Sequence, residues 1–136
     1  MATFHLDLVA PDKLTFSGEV DQVDLPGIEG DFGVLAQHAP TVTLLRPGII
    51  TIHSGGSTDK MVVFGGFAEV SAGGLTVLAD LAAPVGDFDR AVLTTRIAEI
   101  EERIKGMESG SLLDRAIEQL DHFKAVDTHL IGTALH

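Results

Sequence analysis

PGIEGDFGVLAQHAPTVTLLRPG, from Pro26 to Gly48, is the stretch on which the reading of this 136-residue chain turns. It is dense in residues chosen for backbone geometry. Gly27, Gly30 and Gly33 recur at every third position, and glycine is the residue that takes positive φ or permits close backbone approach. Ala39 precedes Pro40, and a residue before proline is held extended. Arg46-Pro47-Gly48 is a turn signal. Between these breaks stand Val34, Leu35, Val42, Leu44 and Leu45, residues of core character. The stretch therefore reads as a constrained, partly apolar surface loop leading into strands, the kind of segment that carries function. A phosphate cradle is disfavoured: there is no G-x-x-x-x-G-K-[ST], no lysine, and Glu29 and Asp31 would repel an anion. Two readings remain on the residues alone, a set of β-turns and a protein-contact loop.

Outward from this stretch the pattern is β. Phe4, Leu6 and Leu8 alternate with His5 and Asp7, which predicts a half-buried strand. Pro11-Asp12 turns the chain, Leu14 and Phe16 continue the alternation, and Gly18 interrupts it. Val20, Val23 and Leu25 predict a strand with a bulge, because their spacing slips from two to three. Downstream, Val42–Leu45 and Ile49–His53 read as strands, the run SGGS at 54–57 as a hairpin turn, and Met61–Phe64, Phe67–Ser71 and Leu75–Ala79 as further strands. The glycine pairs at 55–56, 65–66 and 73–74 read as turns and bulges. About nine short strands without an intervening helix favour an antiparallel sandwich or flattened barrel.

At Pro84 the signals change from strand to helix. Asp87 is the expected N-cap, with Asp89 favouring the dipole in the first turn. Leu93, Ile97, Ile100, Ile104 and Met107 form one apolar stripe. The run GMESG at 106–110 stops that helix, and Ser111 with Asp114 resembles a capping box for a second one. Leu113, Ile117, Leu120 and Phe123 give the second helix its stripe, and Lys124 falls where that stripe should continue. Two such helices joined by a glycine-bearing turn predict an antiparallel hairpin. It is either a static cap or an element that moves as a unit.

Composition narrows the function. Nine basic and twenty acidic residues give a net charge of −11, a poor match to nucleic acid or anionic lipid. There is no cysteine, hence no disulfide or thiolate chemistry. The N-terminus has the marks of neither a signal nor a transit peptide, and no apolar run approaches the roughly 20 residues needed to span a bilayer, so a soluble protein is expected. The six histidines, at 5, 38, 53, 122, 129 and 136, show no ligand spacing, so neither a zinc site nor any other metal is expected. No catalytic set stands out, and no cofactor is expected.

The run EGDFGVLAQHAPTVTLLRPG resembles the signature segment of the epsilon subunit of F-type ATP synthases (the delta subunit of the mitochondrial enzyme). The matching residues are Glu29, Gly30, Gly33, Val34, His38, Ala39, Pro40, Thr43, Leu45, Pro47 and Gly48. GGFAEV at 65–70 and LTVLAD at 75–80 resemble two further family motifs in the same order. The resemblance is strong over 1–83 and weaker over 87–136. It implies an antiparallel β-sandwich of about ten strands over 1–85, followed by a two-helix hairpin over 86–136. It also implies a non-catalytic central-stalk subunit on the cytoplasmic face of a bacterial inner membrane, held to the membrane only through its complex. The partners implied are the gamma subunit, the c-ring and, transiently, the alpha and beta subunits.

Residue by residue, the resemblance assigns the rim at 27–38 to gamma and the c-ring, with Glu29, Asp31, Phe32, Val34 and His38 as contacts. Asp31 takes the place of an acidic residue facing the c loops, and His38 that of the histidine near gamma. In many bacterial members the hairpin opens and blocks hydrolysis through basic residues facing the beta subunit. The candidates here are Arg96, Arg103, Lys105, Arg115 and Lys124, diluted by a tail charge of −4. Some members bind ATP through an I/L-D-x-x-R-A motif. Asp87, Asp89 and Arg90 fall in the corresponding run GDFDRAVL, which departs from that motif in either register; weak or absent ATP binding is expected. Two alternatives come from other classes: a free-standing sandwich adaptor with a helical hairpin, and a small hydrolase or isomerase using His38 and Asp31.

Overall fold

The computed structural model describes residues 2–11 and 13–134; Asp12 of the expected Pro11-Asp12 turn, and His136, lie outside them. The chain forms two compact units, residues 1–86 and 87–136.

The first unit carries ten strands: β1 (Phe4–Ala10), β2 (Lys13–Val20), β3 (Gln22–Gly27), β4 (Gly30–Leu35), β5 (Thr41–Leu45), β6 (Gly48–Ser54), β7 (Ser57–Val63), β8 (Gly66–Ser71), β9 (Gly74–Ala79) and β10 (Ala82–Pro84). Their order is β10-β7-β6-β3-β5-β8-β9-β1-β2, with β4 on β3. Period-two alternation decides which side chains turn inward. Leu6 and Leu8 of β1, Val23 and Leu25 of β3, Ile50 and Ile52 of β6, and Leu75 and Val77 of β9 are buried in a single core cluster. That core holds the two halves of the sheet as a sandwich. β3 joins the halves. Gln22–Asp24 pair with β6, whereas Gly27 pairs with Leu45 of β5.

Four expectations need correction. The strands placed on particular residues miss two of the ten: β4, inside the expected loop, and β10, only three residues long and ending in Pro84, too short to show a period. The sheet is not wholly antiparallel: β1 lies parallel to β9, Leu6 opposite Leu75. This follows from inserting the first strand between β9 and β2, with no hairpin to reverse it. The expected bulge at Val20–Val23 is a break between strands, marked by Asp21, whose N–H donates to the His53 carbonyl at 2.8 Å. The bulge lies at Thr15 instead: Leu8 opposes Phe16 and Val9 opposes Leu14, leaving Thr15 extra. Phe16 therefore packs on the core while Leu14, two residues away, is exposed. The Thr15 hydroxyl is buried without a partner among the described residues. Finally, the expected loop at 27–38 contains β4, paired along its whole length with β3.

After a 3-10 turn (Val85–Asp87), the second unit carries α1 (Arg90–Lys105) and α2 (Ser111–Ala134). The N-cap is Asp89, not Asp87: its carboxylate accepts the Ala91 N–H at 2.9 Å. The capping box expected at Ser111 is replaced by Gly110, whose carbonyl accepts the Asp114 N–H at 3.0 Å, so that Ser111 is already helical. The α2 stripe runs Ala116, Leu120, Phe123, Val126 and Leu130, all buried, while Ile117 is exposed. The stripe swings one residue off the expected line and passes Lys124 without interruption. α2 has 24 residues, about 36 Å at 1.5 Å per residue. The antiparallel pairing is tied by polar contacts. Arg90 reaches Asp127 at 2.6 Å, Arg103 reaches Gln119 at 3.3 Å, and Lys124 lies 3.9 Å from Glu101. The Arg96 guanidinium stands 5.9 Å from the Phe123 ring centroid.

Gly66 sets the spacing of β8 against β9. Its φ is +134°, and a Cβ placed on it would lie 2.0 Å from the Leu78 carbonyl oxygen. Gly66→Ala should cost at least about 2 kcal/mol, from strain and the forced shift of a paired strand. Urea unfolding of the full chain measures it, and a change within error of zero would show that the strand pair relaxes freely.

Candidate functional site

The rim is a β3–β4 hairpin with a two-residue connection, Ile28-Glu29, because Gly27 opposes Gly30 directly. Gly27 is required for that closeness: an added Cβ would stand 2.6 Å from the Gly30 carbonyl oxygen and 3.0 Å from the Phe32 ring. The Arg46 segment fastens the hairpin to the sandwich. The Arg46 N–H donates to the Pro26 carbonyl and the Ile28 N–H to the Leu44 carbonyl, each at 2.9 Å. The Arg46 guanidinium also donates to the Gly27 carbonyl and to Asp31. One planar cation thus holds the last residue of β3 and the second residue of β4, a fork geometry that lysine does not supply.

The five rim residues have different surroundings. Glu29 and Asp31 are exposed, and the Asp31 side chain stays 77% accessible despite its ion pair. Phe32 is half-buried against the core. Val34 is 1% exposed and belongs to the core, so it supports the hairpin from beneath. His38 lies beyond the far end of β4, in a turn where Gln37 has φ +67° and the His38 N–H donates to the Leu35 carbonyl at 3.2 Å. The His38 ring is exposed, with Nδ1 2.8 Å from the Ala39 carbonyl. It borders an open cleft of about 460 Å³ lined also by Phe4, Leu35, Pro40 and Ser71. Asp31 and His38 stand at opposite ends of β4, and the four steps from Asp31 to Leu35 alone span roughly 13 Å at 3.3 Å per residue. They do not form an acid–base pair, which removes the arrangement the hydrolase alternative needs.

Two polar clusters were not singled out from the sequence, because their members are distant along the chain. On β3 and β6, His53 lies 2.8 Å from Asp24, and Gln22 donates to the other Asp24 oxygen at 2.6 Å. Partial burial pushes the Asp24 carboxyl up, but the His53 and Gln22 hydrogen bonds outweigh it and the net direction is down. On β1 and β2, Ser17 donates to Asp7 at 2.6 Å while His5 lies 3.0 Å from Asp7 and 3.3 Å from Glu19. Hydrogen bonds from Ser17 and then His5 hold the Asp7 carboxyl below the usual range. The residue types match a hydrolytic triad, but the hydroxyl hydrogen goes to the carboxylate, so the serine is not activated. Among the described residues, no group of His, Cys, Asp or Glu is placed to hold a metal ion. Among the described residues, no helix is long and apolar enough to cross a membrane.

In the tail, Asp89 is used as a cap and Arg90 is held by Asp127, while Asp87 closes the 3-10 turn. Arg96 lies by Glu99 and over Phe123, Lys105 pairs with Glu102 at 3.3 Å, and Lys124 faces Glu101. Arg115 is exposed and makes no ion pair among the described residues. Arg46→Ala should speed amide exchange across Gly30–Leu35 about tenfold or more, as the hairpin loses its fork of charge-assisted hydrogen bonds. Arg46→Lys should recover only part of the protection. Exchange that stays at the wild-type rate in Arg46→Ala would show that β3 pairing alone fixes the rim.

The family model for the ATP synthase delta/epsilon chain, beta-sandwich domain, matches residues 3–85. The ATP synthase epsilon chain of Rhodopseudomonas palustris is 60% identical over 136 residues, covering all of both chains. ATP synthase epsilon chain 1 of Nitrobacter hamburgensis is also 60% identical, with the same coverage. Among solved structures, the OSCP/F1/c-ring assembly of the Euglena gracilis mitochondrial ATP synthase contains a chain matching with a TM-score of 0.72 and 27% identity, over all of this chain and 83% of that one. The ten-stranded sandwich with its Arg46-held rim, the family model over that sandwich and full-length relatives at this identity together place the chain in the ATP synthase delta/epsilon chain family.

Proposed function

We propose that this chain works as a rotor part, joining the gamma subunit to the c-ring in the F1 portion of a proton-translocating ATP synthase. It is an accessory, non-catalytic subunit, peripheral to the membrane, and the face it works on is the cytoplasmic side of a bacterial inner membrane. The observation that carries the reading is the rim hairpin: a rigid two-stranded projection, fastened by Arg46, that presents Glu29 and Asp31 to solvent. An element that passes torque has to resist bending, and a hairpin held by paired strands and a charged fork does so better than a free loop. Glu29 and Asp31 form the c-ring contact, His38 and its cleft face gamma, and Phe32 and Val34 support the rim from the core. The unit 1–85 therefore carries the coupling, with 86–136 as its appendage.

The hairpin helices act as a weak brake. Arg103 and Lys124, two of the five cations assigned to the beta subunit, already face polar partners on the other helix of the hairpin, so opening would have to break those contacts first. A chain stopped at Val85, assembled into the enzyme, should retain coupled synthesis and change ATP hydrolysis by less than about twofold, the scale of a small barrier change. A several-fold rise in hydrolysis would instead make the hairpin an inhibitor. If the chain purifies with no ATPase subunit, the adaptor reading takes over.

Nucleotide binding is read as weak or absent, because Asp89 and Arg90 are committed to capping and to Asp127. Calorimetric titration of the full chain with ATP should give no dissociation constant tighter than about 1 mM, or about −4.1 kcal/mol. Tighter binding that Arg90→Ala abolishes would reverse this.

A further inference from the structure

The rim strand β4 has a second edge. Gly27 and Gly30 close the two-residue hairpin as a hydrogen-bonded pair, and such pairs alternate along an antiparallel ladder. Phe32 with Leu25, and Val34 with Val23, therefore exchange bonds across the hairpin, while the backbone N–H and C=O groups of Asp31, Gly33 and Leu35 point away from β3. Pro26 fits this alternation: it stands opposite Asp31, and its carbonyl turns the other way, to the Arg46 N–H. Among the described residues, one member of the outward set finds a backbone partner, the Leu35 carbonyl, which accepts the His38 N–H at 3.2 Å. Sheet edges are ordinarily blunted by lysine, proline or a bulge. Gly30–Leu35 holds no lysine and no proline, and its register with β3 is unbroken. A Cβ added at Gly30 would meet nothing within 4 Å, so the backbone there is open to close approach.

The surroundings of this edge say what it would take. Leu35, 57% exposed, stands with Ala36 between two open clefts. One is the cleft of about 460 Å³ beside His38; the other, of about 500 Å³, is lined also by Asp21, Gln22 and His53. A free edge flanked by clefts suits an extended segment, whose main chain supplies hydrogen bonds while alternate side chains enter the clefts. The charge is one-sided: residues 21–45 contain four carboxylates, Asp21, Asp24, Glu29 and Asp31, and no lysine or arginine. We propose that β4 receives an extended, lysine- or arginine-bearing segment of the gamma subunit as an added strand. The proposal rests on the rotor reading above. The six residues of β4 span roughly 20 Å at 3.3 Å per residue, from the turn given to the c-ring to the His38 end given to gamma. A segment lying along the edge therefore belongs to the subunit already seated at one end of it. Strand addition also extends the paired structure of the rim, so the partner stiffens the projection that it grips.

The test is residue-resolved amide exchange of the full-length chain, free and bound to the alpha–beta–gamma complex freed of this subunit, with no c-ring present. The amides of Phe32 and Val34, already paired with β3, should be protected in both states. Those of Asp31, Gly33 and Leu35 should exchange freely in the free chain and at least about tenfold more slowly in the complex. Leu35→Pro removes an outward N–H and no bond to β3, and should weaken binding to the complex about tenfold; Leu35→Ala, which keeps the N–H, should lose less. Glu29→Lys should weaken binding and flatten its salt dependence. The exchange pattern of the wild-type chain decides the matter if Leu35→Pro loses its wild-type melting point. Wild-type binding with Asp31, Gly33 and Leu35 still exchanging at their free rates would overturn the proposal and leave the rotor reading standing. Failure of the wild-type chain to bind at all would overturn the rotor reading. Protection of these three amides only when the c-ring is added, or in a dimer of the isolated chain, would give the edge to a c subunit or to a second copy and overturn the gamma strand.

Discussion

The sandwich depends on one strand changing partners. β3 pairs with β6 over Gln22–Asp24 and with β5 only at Gly27, so Pro26 lies at the seam between the two halves of the sheet. Proline brings no N–H to a ladder, and at the seam one fewer donor needs satisfying. Its carbonyl still accepts the Arg46 N–H. With β4 paired along its other side, β3 is simultaneously the join between layers and the root of the rim. A force applied at Glu29 or Asp31 enters the core through this strand. Strengthening the seam and stiffening the rim are therefore one structural problem, and Arg46 bonds on both sides of it.

Much of this was legible in the sequence. Alternation gave the inward faces of β1, β6 and β9, glycine pairs marked the turns, and the change of period after Pro84 separated sheet from helices. The misplaced features of the sheet share a cause: they depend on contacts between residues far apart in the chain. The Thr15 bulge is visible only once Leu8 and Phe16 are known to oppose one another; locally, Leu14 and Phe16 look like one face. Arg46 reads as part of a turn until Asp31 and the Gly27 carbonyl are brought beside it. The choice between Asp87 and Asp89 as cap rests on a two-residue shift in where α1 begins, a boundary to which the apolar stripe is blind. Of the assigned rim residues, Glu29, Asp31 and His38 are accessible, but Val34 is not. A motif match carries no information on which of its residues face inward.

The helical hairpin follows a different logic. Its apolar stripe is narrow, and interhelical polar contacts are spread along its length, from Arg90 with Asp127 near the open end to Arg103 with Gln119 near the turn. Such exposed pairs contribute little stability each, but together they fix the register of one helix against the other. The side chains that could engage another subunit are thus the ones that align the closed state. Whatever the hairpin contacts must compete with its own carboxylates.

The borders of the sheet decide how the protein behaves when many copies are made at once. The terminal strands of the order are β10 and β2. β10 is three residues long and ends in a proline, and β2 is bent by its bulge. A short, proline-ended border and a kinked one are poor templates for strand addition by a neighbouring chain. At these two borders the unpaired backbone is kept brief or misaligned, whereas β4, paired only with β3, presents a six-residue edge along the rim. The exposed apolar side chains Leu14, Leu44, Phe67 and Leu78 lie on a face of the sheet, away from the two terminal strands' free backbone for all but Leu14, so a neighbouring chain that pairs at β10 finds no apolar row beside it.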